Sequence, residues 1–361
     1  MKNNIINGYI FLKNVRVFAL LMLCFYIIAF FSDCAEVARK CSVQEIRYTI
    51  FFIKISFYRS FGILCEIIPY ILLMSNSIIL SKINFTEELT VLKTNGFSIF
   101  QILKPFIIFA IIVGFVNILI IHPYSILTAQ KTLLLEHKLL GESIDKNESK
   151  SNIWVEKSAG NFELLIYVNN ISNDTLNTIN IYTMDKQHQF QNHIFAKSAS
   201  TRNGEWMLFN GAESKKSSNA KRFNTKIFKT DLTIEDMKLY YKSPMTLNLF
   251  EMYKISKLRK NKGLPYNTYV FSINFLIAKI IFTLIAALFP VICFFRHHRY
   301  TTRWFNILEV TIFAFFLNFF VNSIRSIGIN SELSPFVTCW IPSLLLLFCE
   351  ILAIRYKEQI S

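Results

Sequence analysis

The chain has 361 residues, 53% of them apolar and 17% charged, with a formal charge of +15 at pH 7. That balance is not the composition of an average soluble domain. The apolar residues collect at both ends and the middle is polar, which reads as an integral membrane protein with a soluble insert. The basic residues are spread over nearly every loop rather than gathered on one face with interleaved aromatics. This argues against a nucleic-acid binder and for contact with anionic lipid headgroups.

The chain opens with Lys2, Lys13 and Arg16 and then runs apolar over 17–31. The run is long for a secretory signal and no A-x-A site follows, so a retained first span is expected. Lys13 and Arg16 would snorkel to the starting side. Residues 33–60 mix Asp33, Glu36, Arg39, Lys40, Glu45, Arg47, Lys54 and Arg59 with aromatics. The interruptions predict an amphipathic segment lying in the interface. A second span is expected at about 61–80. Glu66 lies in it, either at headgroup level or facing a cavity or partner.

Next comes a polar island between two runs long enough to cross a bilayer. It reads Glu87-Glu88-Leu89-Thr90-Val91-Leu92-Lys93-Thr94-Asn95-Gly96-Phe97-Ser98. Asn84 and Glu87 have capping-box spacing, Gly96 sits where a helix stops on a left-handed residue, and Phe97 can fold back on Leu92. A short capped helix over 84–96 is predicted. It reads as a surface for a cytoplasmic motor protein to push, or as an ordinary amphipathic connector.

The third span covers 105–121 and ends at His122-Pro123. Residues 125–141 keep helical spacing and extend it outward. Beyond them the apolar period changes from 3.6 to 2. Short runs at 162–168, 178–183, 193–199, 206–212 and 226–230 predict an antiparallel sandwich or open roll. Asn203-Gly204 is a hairpin signal, and 246–263, closed by Gly263, reads as a helix leading back to the membrane. Three more spans are expected at about 270–295, 304–323 and 335–354, with a basic loop, Arg296-His297-His298-Arg299-Tyr300 and Arg303, after the fourth. The expected division is 1–121, 122–268 and 269–361: two three-span halves around a β-domain with flanking helices. The positive-inside rule puts the termini in the cytoplasm and the insert outside it. The basic residues of 33–60 then stand on the wrong side.

The chain carries no GxxxxGK[ST], no HExxH and no GxSxG, so nothing argues for an enzyme. The seven cysteines (Cys24, Cys34, Cys41, Cys65, Cys293, Cys339 and Cys349) lie in or beside the apolar runs and form no CxxC or zinc spacing. No metal, cofactor or disulfide is expected in the insert, which must be stable through its own core. Asn173-Asp174-Thr175 matches a glycosylation acceptor, as chance allows in an Asn-rich chain.

Taken in order, Glu88-Leu89-x-Val91-Leu92-x-x-x-Gly96-Phe97-Ser98, Ile153-Trp154-Val155, Asn161-Phe162, Ile179-x-Ile181-Tyr182, Trp206-x-Leu208, Leu247-x-Leu249-x-Glu251 and Trp340-x-Pro342 resemble the LptF/LptG permease family over about 5–355. These are membrane subunits of a lipopolysaccharide-exporting ABC transporter. Phe31-Ser32-Asp33-x-x-Glu36 with Arg39-Lys40 looks more like the LptG branch, with LptF the alternative. Two departures stand out: no acid precedes Pro123, and Asp33 stands where the family frequently has a basic residue.

The resemblance implies six spans and a periplasmic β-jellyroll-like domain. It implies an LptF-like permease as heterodimer partner, an LptB-like ATPase dimer gripping Glu87, Glu88, Leu89, Leu92, Gly96 and Phe97, and an LptC-like bitopic protein receiving the cargo. It implies a cavity between the first and fifth spans, with Arg39 and Lys40 on the phosphates of lipopolysaccharide. Other readings are a mechanotransmitting ABC permease, usually of four spans, or a membrane scaffold that moves no lipid.

Overall fold

The computed structural model describes residues 2–40, 49–139, 153–159, 162–172, 175–185, 187, 189–202, 205–216, 220–230, 232–233, 237, 244–294, 303–330 and 333–360. The Asn203-Gly204 turn, the Asn173 acceptor and positions 296–300 of the basic loop lie outside these residues. So does the side chain of Lys40. The chain divides into two compact units, Met1–Leu139 with Phe271–Ser361, and Leu140–Val270.

The first unit is helical. Its elements are α1 (Lys2–Lys40), α2 (Thr49–Phe85), α3 (Glu88–Thr94), α4 (Ile99–Val116), a π segment (Asn117–Ile121) and α5 (His122–Leu139), then α7 (Asn267–Phe294), α8 (Arg303–Asn330) and α9 (Pro335–Ile360). Among the described residues, six helical stretches are long and apolar enough to cross a membrane. Leu103, Phe106, Phe282, Ile285, Leu317 and Cys339 belong to one buried cluster shared by α4, α7, α8 and α9. In lipid, such contacts hold helices together by close packing rather than by escape from water.

The expected interfacial segment is not a separate element among the described residues, because α2 already runs from Thr49. Two of its polar residues are buried in the helical bundle and a third pairs with α1. Ser56 and Ser60 are buried, Ser60 donates to Ser56 O, and Arg59 reaches Asp33 of α1 at 3.3 Å. Thirty-seven residues in one helix span roughly 55 Å at ~1.5 Å per residue. That exceeds a hydrocarbon core of about 30 Å.

The third span continues into α5 through the π segment, where His122 N–H reaches back five residues to Asn117 O. Pro123 has no N–H to donate, and the widened turn carries the helix past it. Asn117 is held from α2: its Nδ2 donates to Cys65 O and its Oδ1 accepts from Cys65 Sγ, both at 3.2 Å.

Among the described residues the second unit carries six strands, β1 (Ile153–Ala159), β2 (Phe162–Ser172), β3 (Thr175–Asp185), β4 (Phe190–Arg202), β5 (Glu205–Lys215) and β6 (Lys221–Lys229). They form one antiparallel sheet in sequence order. The period-2 pattern explains its two faces. Ile166 and Val168 are fully buried while Tyr167 between them packs beside Trp154, its partner on β1. The core gathers Ile179, Ile181, Ala196, Trp206 and Leu208. The Trp206 indole N–H donates to Leu232 O at 2.7 Å, so the largest core side chain buries no unpaired donor. Helix α6 (Leu249–Asn261) follows, its start held by Asn248 N–H donating to Glu251 Oε2 at 3.0 Å. It stops before Gly263, whose φ of +67° is the left-handed residue such an ending needs.

Candidate coupling and lipid-contact sites

The polar island folds as a short helix, but its start differs from the expected box. Asn84 lies inside the last turn of α2, so its side chain is not at a cap position. The chain turns on Glu87, a non-glycine residue at φ +56° whose backbone carbonyl accepts from Val91 N–H. A left-handed Glu is uncommon and costs about 1 kcal/mol or more. The end of α3 follows the sequence closely. Gly96 has φ +81° and Phe97 N–H returns to Leu92 O at 3.1 Å, the six-to-one bond of a Schellman stop. Ser98 then opens α4 with a capping box: Gln101 N–H donates to Ser98 Oγ and Ser98 N–H to Gln101 Oε1, both at 3.3 Å.

The six residues expected to engage an ATPase divide by face. Leu89 is buried, and Leu92 and Phe97 pack against the same cluster of the first unit. They fasten the element. Glu87 is exposed, Gly96 is exposed and Glu88 is 40% exposed, so these present the open side. Two long-range contacts hold the element from outside. Glu358 near the end of α9 accepts from Ile99 N–H at 3.1 Å. Lys13 of α1 lies 3.8 Å from Glu88, which also lines a cleft of about 290 Å³ with Tyr9, Ile10, Ile83, Val91 and Leu92. Sequence reasoning missed both: Lys13 reads as a snorkelling lysine and Glu358 as a chain end.

Arg39 is exposed on the last turn of α1 and Lys40 is its final residue. Asp33, six residues before Arg39, is buried and paired with Arg59. A buried carboxylate needs such a partner.

The seam between α2 and α8 was also missed. Glu66 meets Arg325 at 3.3 Å, and Tyr70 Oη donates to Asn318 Oδ1 at 3.2 Å. Further along, the same helices open into a largely apolar groove of about 650 Å³ lined by residues such as Leu73, Met74, Ile78, Ile307 and Val310. Among the described residues no group of three or more His, Cys, Asp or Glu could hold a metal ion.

Six membrane-length helices, a polar helix between the second and third, and an inserted β-domain define a polytopic membrane protein of the transport class. More spans are present than the four usual in mechanotransmitting permeases. The chain belongs to the LptF/LptG family: the family model described as lipopolysaccharide export system permease LptF/LptG matches residues 8–356, nearly its whole length. It is therefore a permease of lipopolysaccharide export, in a family whose ATPase is a separate subunit. Curated proteins gave no match.

Proposed function

We propose that this chain is the LptG-type half of the permease, paired with an LptF-like chain, in a bacterial inner membrane. Its termini and α3 face the cytoplasm and its β-domain faces the periplasm. The observation that carries this reading is α3 itself: fastened by Leu89, Leu92 and Phe97, it turns Glu87, Glu88 and Gly96 outward between two spans. An LptB-like ATPase dimer grips that face and drives the lipopolysaccharide cavity shut.

The first span is 6% buried and the fifth 22%, against 67% for the fourth. Their apolar faces, with Leu20 on α1 and Phe315 and Phe319 on α8 among the exposed residues, await a second permease and the lipid cargo. Arg39 and Lys40 stand at the far end of α1 and meet the cargo's phosphates, a charge-assisted contact. An LptC-like protein takes the cargo from the β-domain by pairing along a sheet edge.

Co-purification in mild detergent tests the coupling role. Glu88→Lys is expected to lose the ATPase while the chain still inserts; unchanged recovery of the ATPase would overturn that role. Arg39→Glu with Lys40→Glu is expected to weaken lipopolysaccharide cross-linking, and unchanged cross-linking returns the pair to ordinary headgroup contact.

A further inference from the structure

The Lys13–Glu88 contact has an asymmetry that Glu88 alone does not explain. Lys13 is only 15% exposed, and its Nζ makes no hydrogen bond. Its polar surroundings are the Glu88 carboxylate at 3.8 Å and the face of the Tyr9 ring at 5.2 Å. Glu88 is more open, so one side of its carboxylate remains available to a cation from outside. Pulling Glu88 away would strand a buried ammonium, which is far costlier than losing an exposed pair.

The next residue of α1 extends the connection. Asn14 is fully buried and its Oδ1 accepts from Ser75 Oγ of α2 at 3.1 Å. Asn76, adjacent to Ser75, donates through Nδ2 to Ala287 O of α7 at 3.1 Å. Three polar contacts, on residues adjacent in sequence, therefore join α3 to α1, α1 to α2 and α2 to α7. Among the six spans α1 has the smallest buried share, so much of its surface is free of the other helices of this chain.

We infer that Lys13 is a positioning residue that ties α1 to α3, so that a displacement of α3 carries the first span with it. This rests on the reading of α3 as the ATPase-coupling element. The buried ammonium must keep its carboxylate, and α1 follows the helix that bears it.

The test uses the complete complex of both permeases, ATPase and bridge protein in lipid nanodiscs, reading lipopolysaccharide released per ATP hydrolysed. Lys13→Met is expected to keep the ATPase bound and hydrolysing. Release per ATP should fall about fivefold, within the range that changes along a coupling path produce. Lys13→Arg, which keeps the charge, should restore most of it. An unchanged ratio in Lys13→Met, or no rescue by Lys13→Arg, overturns the link.

A second variant does not depend on removing the lysine. Tyr9→Cys with Val91→Cys places thiols on α1 and α3 across the same cleft, to be bridged by a short bismaleimide. If α1 and α3 travel together, the bridged complex still releases lipopolysaccharide on ATP. If bridging stops release, the two helices move apart and the inference fails. Failure of the underlying reading looks different: Glu88→Lys would then leave ATPase recovery unchanged.

Discussion

Glu66 on the second span and Arg325 on the fifth are separated by 259 positions, yet their charged atoms approach to 3.3 Å. The guanidinium also lies 5.6 Å from the centre of the Phe275 ring on the fourth span. Both charges are partly open, so in water the pair would contribute about 0–1 kcal/mol. At a membrane boundary the alternative is a lone charge near hydrocarbon, which costs more. Glu66→Gln and Arg325→Met should each destabilise the protein in detergent more than the double variant does. A double-mutant cycle on unfolding should return a coupling of about 1 kcal/mol. Additive effects would show that the two residues act separately.

Ile99 N–H and the Glu358 carboxylate join the start of α4 to the end of α9. A carboxylate at a helix N-terminus typically stabilises by about 0.3–1 kcal/mol, and the neighbouring Ser98 cap adds about 1 kcal/mol. Glu358→Gln should speed hydrogen exchange at Ile99 modestly. Ser98→Ala should do so more strongly and extend the effect to Gln101, whose N–H the hydroxyl accepts. Equal protection in all three proteins would remove this account of how the island is anchored.

What the sequence revealed and what it hid follow from the range of the interactions. The Gly96 stop was legible because a left-handed glycine after a helical run is a local requirement. Strands β2 to β5 were legible because burial alternates along part of each, whereas β1 fell outside the five predicted runs and β6 was read only near its end. Asn84 misled because its spacing to Glu87 fits a cap, whereas α2 continues through it and Glu87 makes the turn. Residues 33–60 read as interfacial because charges such as Lys54 and Arg59 interrupt the aromatic runs. The partner of Arg59, Asp33, lies on another helix. Lys13, Glu358 and Arg325 carried no local signal, since each finds its partner only when distant segments meet.

Two glycines should respond differently to the same substitution. At Gly96 an added methyl meets nothing within 4 Å, so Gly96→Ala costs only the φ of +81°, about 1–2 kcal/mol. The cost should appear as fraying of α3 and weaker recovery of the ATPase. At Gly328 the methyl would lie 1.7 Å from Phe271 Cε2. Phe271 is itself buried, so the ring has nowhere to go. Gly328→Ala should cost about 1–3 kcal/mol or more through overpacking of α7 against α8, read as a lower midpoint in detergent unfolding. The additional variant Phe271→Leu should recover part of it by shortening the intruding ring.

Acid should loosen the β-domain, and three groups give the same sign. Burial lowers His193 from its ordinary 6.5, so the folded state prefers the neutral ring, which stacks on Tyr182 at 4.5 Å. Asp185 is lowered from 3.8, first by the Gln189 N–H; desolvation opposes it, and the Gln187 N–H and the Gln191 side chain add to the lowering. Glu213 is lowered from 4.5, first by the Lys226 ammonium, 2.6 Å away, and then by the Asn192 amide. A group whose folded pKa is depressed contributes fully above its unfolded value and loses that contribution as pH falls through the folded one. Hydrogen-exchange protection of β3 and β4 in the full-length protein should therefore be level from pH 8 to about 7. It should decline below about 6.5 as His193 charges, and decline again below about 4 as the carboxylates protonate. His193→Phe keeps a stacking ring and should remove the first decline. Asp185→Asn should flatten the second. Protection that rises between pH 7 and pH 5 would mean that the folded domain favours the charged imidazole, contrary to the burial of His193.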